Sequence, residues 1–247
     1  EVGHGNRKDI RNAVEAAHKA AEDWTKDTAH TRAQVLYFFA ENLAVRESEF
    51  AVRLCALCGC APDFAEREVR ASIQRAFTYA AWADKYDGRV HATPYRNVTL
   101  AMNEPIGVLG LVAPTEAPLL GFLSLVLPAV AMGNTVVAVP SERWPLLATD
   151  LYQVFDTSDV PGGVINIVTG PRKDLAPVLA AHDDVDGIWF YGPREEAAAV
   201  EKLSAGNMKR THVAWDPVDW LDPHEGQGEE FLREATQVKN IWVPYGA

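Results

Sequence analysis

The stretch Asn103-Glu-Pro-Ile-Gly-Val-Leu-Gly-Leu-Val-Ala-Pro-Thr-Glu-Ala-Pro-Leu119, with the later run Ala131-Met-Gly-Asn-Thr-Val-Val-Ala-Val-Pro-Ser-Glu142, decides the fold. Each holds a short apolar segment, Gly107–Ala113 and Thr135–Val139, bounded by residues that break regular structure. Segments of this length and composition predict strands buried on both faces. Between them Pro118–Met132 is apolar and long enough for a buried helix, though broken by Gly121 and Pro128. Buried strand, helix, buried strand is the repeating unit of a parallel sheet covered on both sides.

The same alternation continues toward the C-terminus. Strands are expected at Val164–Val168, Gly187–Tyr191 and Thr211–Trp215, and helices at Pro145–Phe155, Leu175–Ala181 and Pro193–Ser204. Toward the N-terminus the period is helical. Asp9–Trp24 places Ile10, Val14, Ala17 and Ala21 on one face, and Thr31–Arg46 repeats the pattern with Thr31 as its cap. Helices over Glu47–Cys58 and Asp63–Lys85 follow. Val98–Met102 alternates weakly, as an exposed strand does. Asp216–Gly228 reads as a polar loop, and a short helix and a strand close the chain. The reading is α/β: a Rossmann-like doubly wound parallel sheet with N-terminal helices and a β-flap. Its parts are an N-terminal helical region (1–97), a first flap strand (98–106), the Rossmann-like domain (107–215), a loop (216–228), and a C-terminal helix with the second flap strand (229–247).

A net charge of −11 argues against a nucleic-acid partner. No apolar run reaches the ~18–20 residues of a membrane span, and Glu1 opens a polar stretch with no signal-peptide pattern. The absence of Met at position 1 suggests a cut within a longer polypeptide or a processed end. Three cysteines in 247 residues fit a reducing compartment rather than a disulfide framework, so a cytoplasmic location is expected.

The quoted stretches resemble the nucleotide-binding half of the aldehyde dehydrogenase superfamily, with its E-P-x-G-V, P-W-N-x-P and G-N-x-V-V-x-K-P-x-E patterns. Tyr79–Gly88 and the closing Glu234-Ala-Thr-Gln-Val-Lys239 resemble it too. The resemblance covers nearly the whole chain, but only the cofactor-binding and flap portions of that fold. The catalytic domain is missing: only 216–228 stands where on the order of 100 residues would be needed.

By that resemblance the catalytic positions are lost. Glu116 stands where the family has its oxyanion-hole Asn, and Ala214 where it has its general-base Glu. A carboxylate at the first would repel a developing oxyanion, and an alanine at the second carries no base. The cofactor positions are degenerate in the same way. Val139 replaces the ribose-binding Lys, Glu142 is retained, and Pro193 removes an N–H from the helix start that would meet a pyrophosphate. Glu195 and Glu196 add like charge, and Arg194 alone favours an anion. No cofactor is expected, with NAD(P) held weakly by Glu142 and Arg194 as the alternative reading.

Other groups carry less chemistry. Cys55, Cys58 and Cys60 lack a fourth ligand for zinc and read as small thiols at a helix end. Asp183, Asp184 and Asp186 read as a solvated turn, so no metal is expected. Among the scattered histidines, His212 falls on an expected core strand. Glu116 with His212 is the only candidate acid–base pair for an independent enzyme. Trp215 and Trp220 either anchor a partner or cover the end of the sheet.

The closest resemblance is to the degenerate C-terminal module of the two-module family 16 aldehyde dehydrogenases. It implies assembly rather than catalysis: strand pairing with an active aldehyde dehydrogenase module, in the same polypeptide or in a partner chain, and self-association when isolated. The expected interface is edge-strand backbone at Val98, Thr99, Leu100, Ala101 and Met102, and at Val238, Lys239, Asn240, Ile241, Trp242 and Val243.

Overall fold

The computed structural model describes residues 2–245. Four helices come first: α1 (Arg7–Lys26), α2 (Ala29–Val45), α3 (Glu47–Cys58) and α4 (Pro62–Trp82). A capping box opens α1. The Asn6 side chain accepts from Lys8 N at 2.8 Å, while the Asp9 carboxylate accepts from Asn6 N at 2.8 Å. The cap of α2 is Thr28, whose hydroxyl accepts from Thr31 N at 3.1 Å. The expectation that Thr31 caps this helix is therefore corrected. Both threonines precede the apolar period, and the residues between them carry no period of their own. Gly59, with φ 67, stops α3 in the left-handed conformation. Pro62 opens α4, where its missing N–H costs nothing.

The rest of the chain runs β1 (Arg89–His91), β2 (Asn97–Pro105), β3 (Val108–Val112), α5 (Leu120–Ala131), β4 (Thr135–Val139), α6 (Leu146–Asp156), β5 (Ile165–Ile167), α7 (Arg172–Ala180), β6 (Gly187–Tyr191), α8 (Arg194–Ser204), β7 (Arg210–Ala214), α9 (Glu229–Glu234) and β8 (Thr236–Pro244). Strands β5-β4-β3-β6-β7 lie in that order in one parallel sheet. Every residue of β3, β4 and β6 is buried, because the sheet is covered on both faces. One layer is α1, α7 and α8, contributing Ile10, Val14, Leu175, Leu179 and Val200. The other holds α2 to α6, contributing Leu36, Phe39, Tyr79, Phe122 and Leu147. The expected doubly wound α/β fold is present. His212, however, lies on β7, which is an edge strand rather than a core one.

A second, antiparallel sheet has the order β1-β2-β8. β2 and β8 pair along their full length, from Asn97 opposite Pro244 to Pro105 opposite Thr236. On its other side β2 pairs with β1, Arg89 opposite Ala101 and His91 opposite Thr99. Val98–Met102 therefore belongs to the central strand of the flap, and its backbone at residues 99–101 is flanked on both sides. The short segment Arg89–His91, which shows no apolar alternation, occupies the edge assigned to β2 from sequence. Among the described residues, the outer strands are β1 and β8, and β8 offers the longer open edge.

Residues directly opposite in antiparallel strands share a face. Val90, Val98, Leu100, Met102, Ile241 and Val243 therefore lie on one face of the flap. Four of them, Val90, Val98, Met102 and Val243, are exposed. Such a contiguous aliphatic face is costly to leave in water.

Two buried polar side chains fix these parts to one another. The Asn134 carbonyl accepts from Ile106 N (2.7 Å) and Gly107 N (3.0 Å), and its amide donates to Ala129 O (2.9 Å) and Ala235 O (2.8 Å). Arg75, 3% exposed, donates to Ser124 Oγ, Gly226 O, Trp220 O and Gln227 Oε1. It thereby clamps the 216–228 loop against α4 and α5.

Candidate functional site

Parallel sheets bind ligands at the carboxyl ends of their strands, where the strand order reverses. Here that point lies between β3 and β6. Two clefts open there. The first, about 610 Å³, is lined by Glu142, Arg143, Thr169, Pro171, Lys173 and Glu196, with Val2–His4 along one side. The N-terminal segment is held there by Gly5 N donating to Thr169 O and Thr169 Oγ1 donating to Gly3 O, both at 2.7 Å. The second, about 360 Å³, is lined by Pro114–Glu116, Arg172, Tyr191–Pro193, Ala214–Val218 and Trp220.

The two clefts share Thr115, and Arg172 stands between them. Its guanidinium pairs with Glu196 at 2.8 Å, approaches Thr115 Oγ1 at 3.4 Å and lies over the Phe190 ring. Its side chain is only 12% exposed. Its main-chain N–H donates to Glu142 Oε2 at 2.9 Å. Glu142 thus satisfies a free N–H at the start of α7. Nothing in the sequence singled out Arg172. A basic pair, Arg172-Lys173, after a Gly-Pro turn carries no pattern, and the role of Arg172 emerges only when α7 and α8 converge.

The sequence-assigned positions separate between these clefts. Glu116, Ala214 and Pro193 come together in the second. Val139 is fully buried at the end of β4, so it lines neither. Glu142 belongs to the first cleft. Arg194 instead stacks on Trp215, its guanidinium 5.5 Å from the ring centroid. Glu142 and Arg194 therefore do not converge on one ligand site. His212 does not line the cleft that holds Glu116. It bonds to the Tyr191 hydroxyl at 3.0 Å, so the acid–base pair entertained from sequence is not assembled. Burial lowers the His212 pKa against the opposing pull of Glu234 and Glu230, and burial pushes the Tyr191 phenol up. Both are thereby held neutral, as a structural pair beneath Trp189 and Phe231.

The three cysteines lie at the α3 end, where Cys55 Sγ donates to Cys60 O at 2.9 Å. Burial pushes the Cys58 thiol up to about 11, away from thiolate chemistry. Among the described residues no cluster of three or more His, Cys, Asp or Glu is arranged to hold a metal. Nor is any helix long and apolar enough to cross a membrane.

The aldehyde dehydrogenase family profile matches residues 1–215. The chain belongs to the aldehyde dehydrogenase family. It is 33% identical over 214 residues to hydroxyisobutyraldehyde dehydrogenase of Mycolicibacterium austroafricanum, covering 86% of this chain and 42% of that protein. It is 33% identical over 221 residues to cytosolic 10-formyltetrahydrofolate dehydrogenase of Mus musculus, covering 86% of this chain and 24% of that one. Among solved structures, betaine aldehyde dehydrogenase from Staphylococcus aureus in complex with NAD+ superposes with a TM-score of 0.82 at 25% identity. That match covers 89% of this chain and 46% of its counterpart. PnpE from Pseudomonas sp. WBC-3 superposes with a TM-score of 0.84 at 26% identity, covering 87% and 44%. The chain therefore spans less than half the length of each of these relatives.

Proposed function

We propose that this chain is a non-catalytic aldehyde-dehydrogenase-like module that docks onto an active aldehyde dehydrogenase module through its flap. The observation that carries the reading is the flap itself. A fully formed nine-residue strand, β8, has an unpaired outer edge among the described residues and lies beside an exposed aliphatic face. An exposed edge of this length is a template for another strand. The oxidation of an aldehyde to a carboxylic acid belongs, on this reading, to the attached or partner module.

Loss of chemistry here is supported by what occupies the switch point. Glu116 offers no oxyanion donor at its position and Ala214 no base at its own, and Arg172 is committed to Glu196. The pattern resembles the degenerate second module of family 16 enzymes, a resemblance that implies support of a partner rather than turnover of substrate. A cytoplasmic setting is in keeping with three unpaired thiols.

Sedimentation of the isolated chain tests the reading. Reversible self-association is expected, and it should be reduced by Val238→Lys with Val243→Lys, both exposed side chains of β8. A monomer at every concentration that also ignores an active aldehyde dehydrogenase module would sink the proposal.

A further inference from the structure

The turn between α3 and α4 gathers all three cysteines of the chain, each a free thiol, and its geometry sorts them. Gly59 ends α3 in the left-handed conformation, and its N–H donates to Cys55 O at 2.9 Å. In a helix stopped this way, the residue after the glycine folds back onto a side chain of the last turn. That contact is commonly made by two apolar groups. Here the two positions are Cys60 and Cys55. Cys55 Sγ donates to the main-chain oxygen of Cys60 at 2.9 Å, and the Cys60 thiol is within hydrogen-bonding reach of the Cys55 side chain. Cys55 also lines an open cavity of about 460 Å³, with Ala51, Val52, Pro62, Glu66 and Arg70. Cys58 does not line it, and burial, with Glu68 nearby, holds that thiol up at about 11.

We propose that Cys55 and Cys60 form a peroxide-responsive dithiol that closes to a disulfide across the glycine cap, with Cys58 left out. A small neutral oxidant, hydrogen peroxide, reaches Cys55 through the cavity. The Cys55 thiolate attacks one peroxide oxygen and the O–O bond breaks. The departing hydroxide takes a proton and leaves as water, and Cys55 becomes a sulfenic acid. The Cys60 thiolate then attacks the Cys55 sulfur. The S–S bond forms as the S–O bond breaks, and the hydroxyl leaves with a proton as a second water. One peroxide is reduced to water while the dithiol loses two electrons and two protons. The bond replaces the Cys55 thiol donation to Cys60 O and ties the end of α3 to the residues that lead into α4. The site shares no residue with the flap and is independent of its docking role.

The test exposes the full chain to a few equivalents of hydrogen peroxide and blocks the remaining thiols with iodoacetamide. Reduction follows, and the released thiols are labelled with N-ethylmaleimide before tryptic mapping. All three cysteines fall in one tryptic peptide, Leu54–Arg67, so tandem mass spectrometry reads them together. The expected result is N-ethylmaleimide on Cys55 and Cys60 and carbamidomethyl on Cys58, in a chain that remains monomeric on a denaturing non-reducing gel. Cys58→Ser should form the bridge at an undiminished rate. Cys60→Ser should lose it and instead accumulate a Cys55 sulfenic acid that dimedone traps. A thermal melt shows that each variant is folded, and the map of the parent chain stands without them. N-ethylmaleimide on Cys58 with either neighbour would overturn the proposal. So would a bridge confined to covalent dimers, oxidation of single cysteines without a bridge, or three thiols left untouched.

Discussion

The Asn134 side-chain amide donates to the main-chain carbonyl of Ala235 at 2.8 Å, joining the start of β4 to the residue just before the last flap strand. These residues lie far apart in sequence, and Asn134 is fully buried. Its carbonyl oxygen simultaneously takes Ile106 N and Gly107 N, where β2 leads into β3. One side chain therefore holds both long flap strands at their roots. The flap leaves the parallel sheet at a fixed point rather than hanging from two free linkers.

Asn134→Ala should accordingly cost about 3 kcal/mol, because it leaves several buried main-chain groups unpaired. Urea unfolding measures that loss. Amide exchange should accelerate in β2 and β8 well before it does in β3, β4 and β6. Uniform acceleration across both sheets would mean that Asn134 stabilises the domain without orienting the flap.

Glu68 gives a pH-dependent prediction. It is 1% exposed, and one carboxylate oxygen accepts from Leu119 N at 3.1 Å and Leu120 N at 3.2 Å, at the start of α5. Burial raises its pKa above the ordinary 4.5 despite those bonds. The folded state thus binds this proton more tightly than the unfolded state does. Its contribution to stability is present below pH 4.5 and declines as pH rises through the folded pKa. Glu68→Gln keeps the acceptor without the charge. The variant should be more stable than the parent at pH 7, with the difference shrinking toward pH 4. Chemical denaturation at several pH values decides it, and a difference independent of pH contradicts the argument.

Most of this architecture is legible in the sequence because the buried strands are short, continuous apolar runs. Glu47–Cys58 and Gly187–Tyr191 match the structure residue for residue, since Gly59 and Gly192 terminate them sharply. What escapes notice is polar and long-range. Arg89–His91 has no apolar alternation, and it becomes a strand only because β2 offers it an edge. Arg75 sits within a helical period that carries no signal of its burial, yet its guanidinium reaches carbonyls in the 216–228 loop. Arg172 is silent until α7 and α8 meet. Of the catalytic and cofactor positions named from the family resemblance, Glu116, Ala214 and Pro193 fall in one cleft, Glu142 in another and Val139 in neither, a separation no local pattern encodes.

Arg75→Met should free the loop it clamps. The substitution preserves bulk in the core but abandons Trp220 O and Gly226 O, at a cost of about 3 kcal/mol. Limited proteolysis should then cut between Asp216 and Gly228 while the parallel sheet stays protected. Resistance of the loop equal to that of the parent would show that Trp220, packed on Tyr191 and Phe231, holds it unaided.

Arg172 and Glu142 together argue against a working dinucleotide site. Glu142 Oε2 is engaged by Arg172 N, and the Arg172 guanidinium fills the gap between the β3 loop and α8. A dinucleotide would have to displace that ion pair at a helix start whose first residues include Glu195 and Glu196. The Arg172 side chain is largely shielded while Glu196 is 34% exposed, so breaking the pair leaves a half-buried guanidinium without its partner. Calorimetric titration with NAD+ and NADP+ should therefore give no saturation up to about 1 mM, a concentration at which a 1 mM Kd would already be visible. Saturable heat would instead show that the first cleft accepts the nucleotide with Arg172 moved aside. The matching variant, Arg172→Ala, should then bind more tightly, and the module would act as a nucleotide sensor.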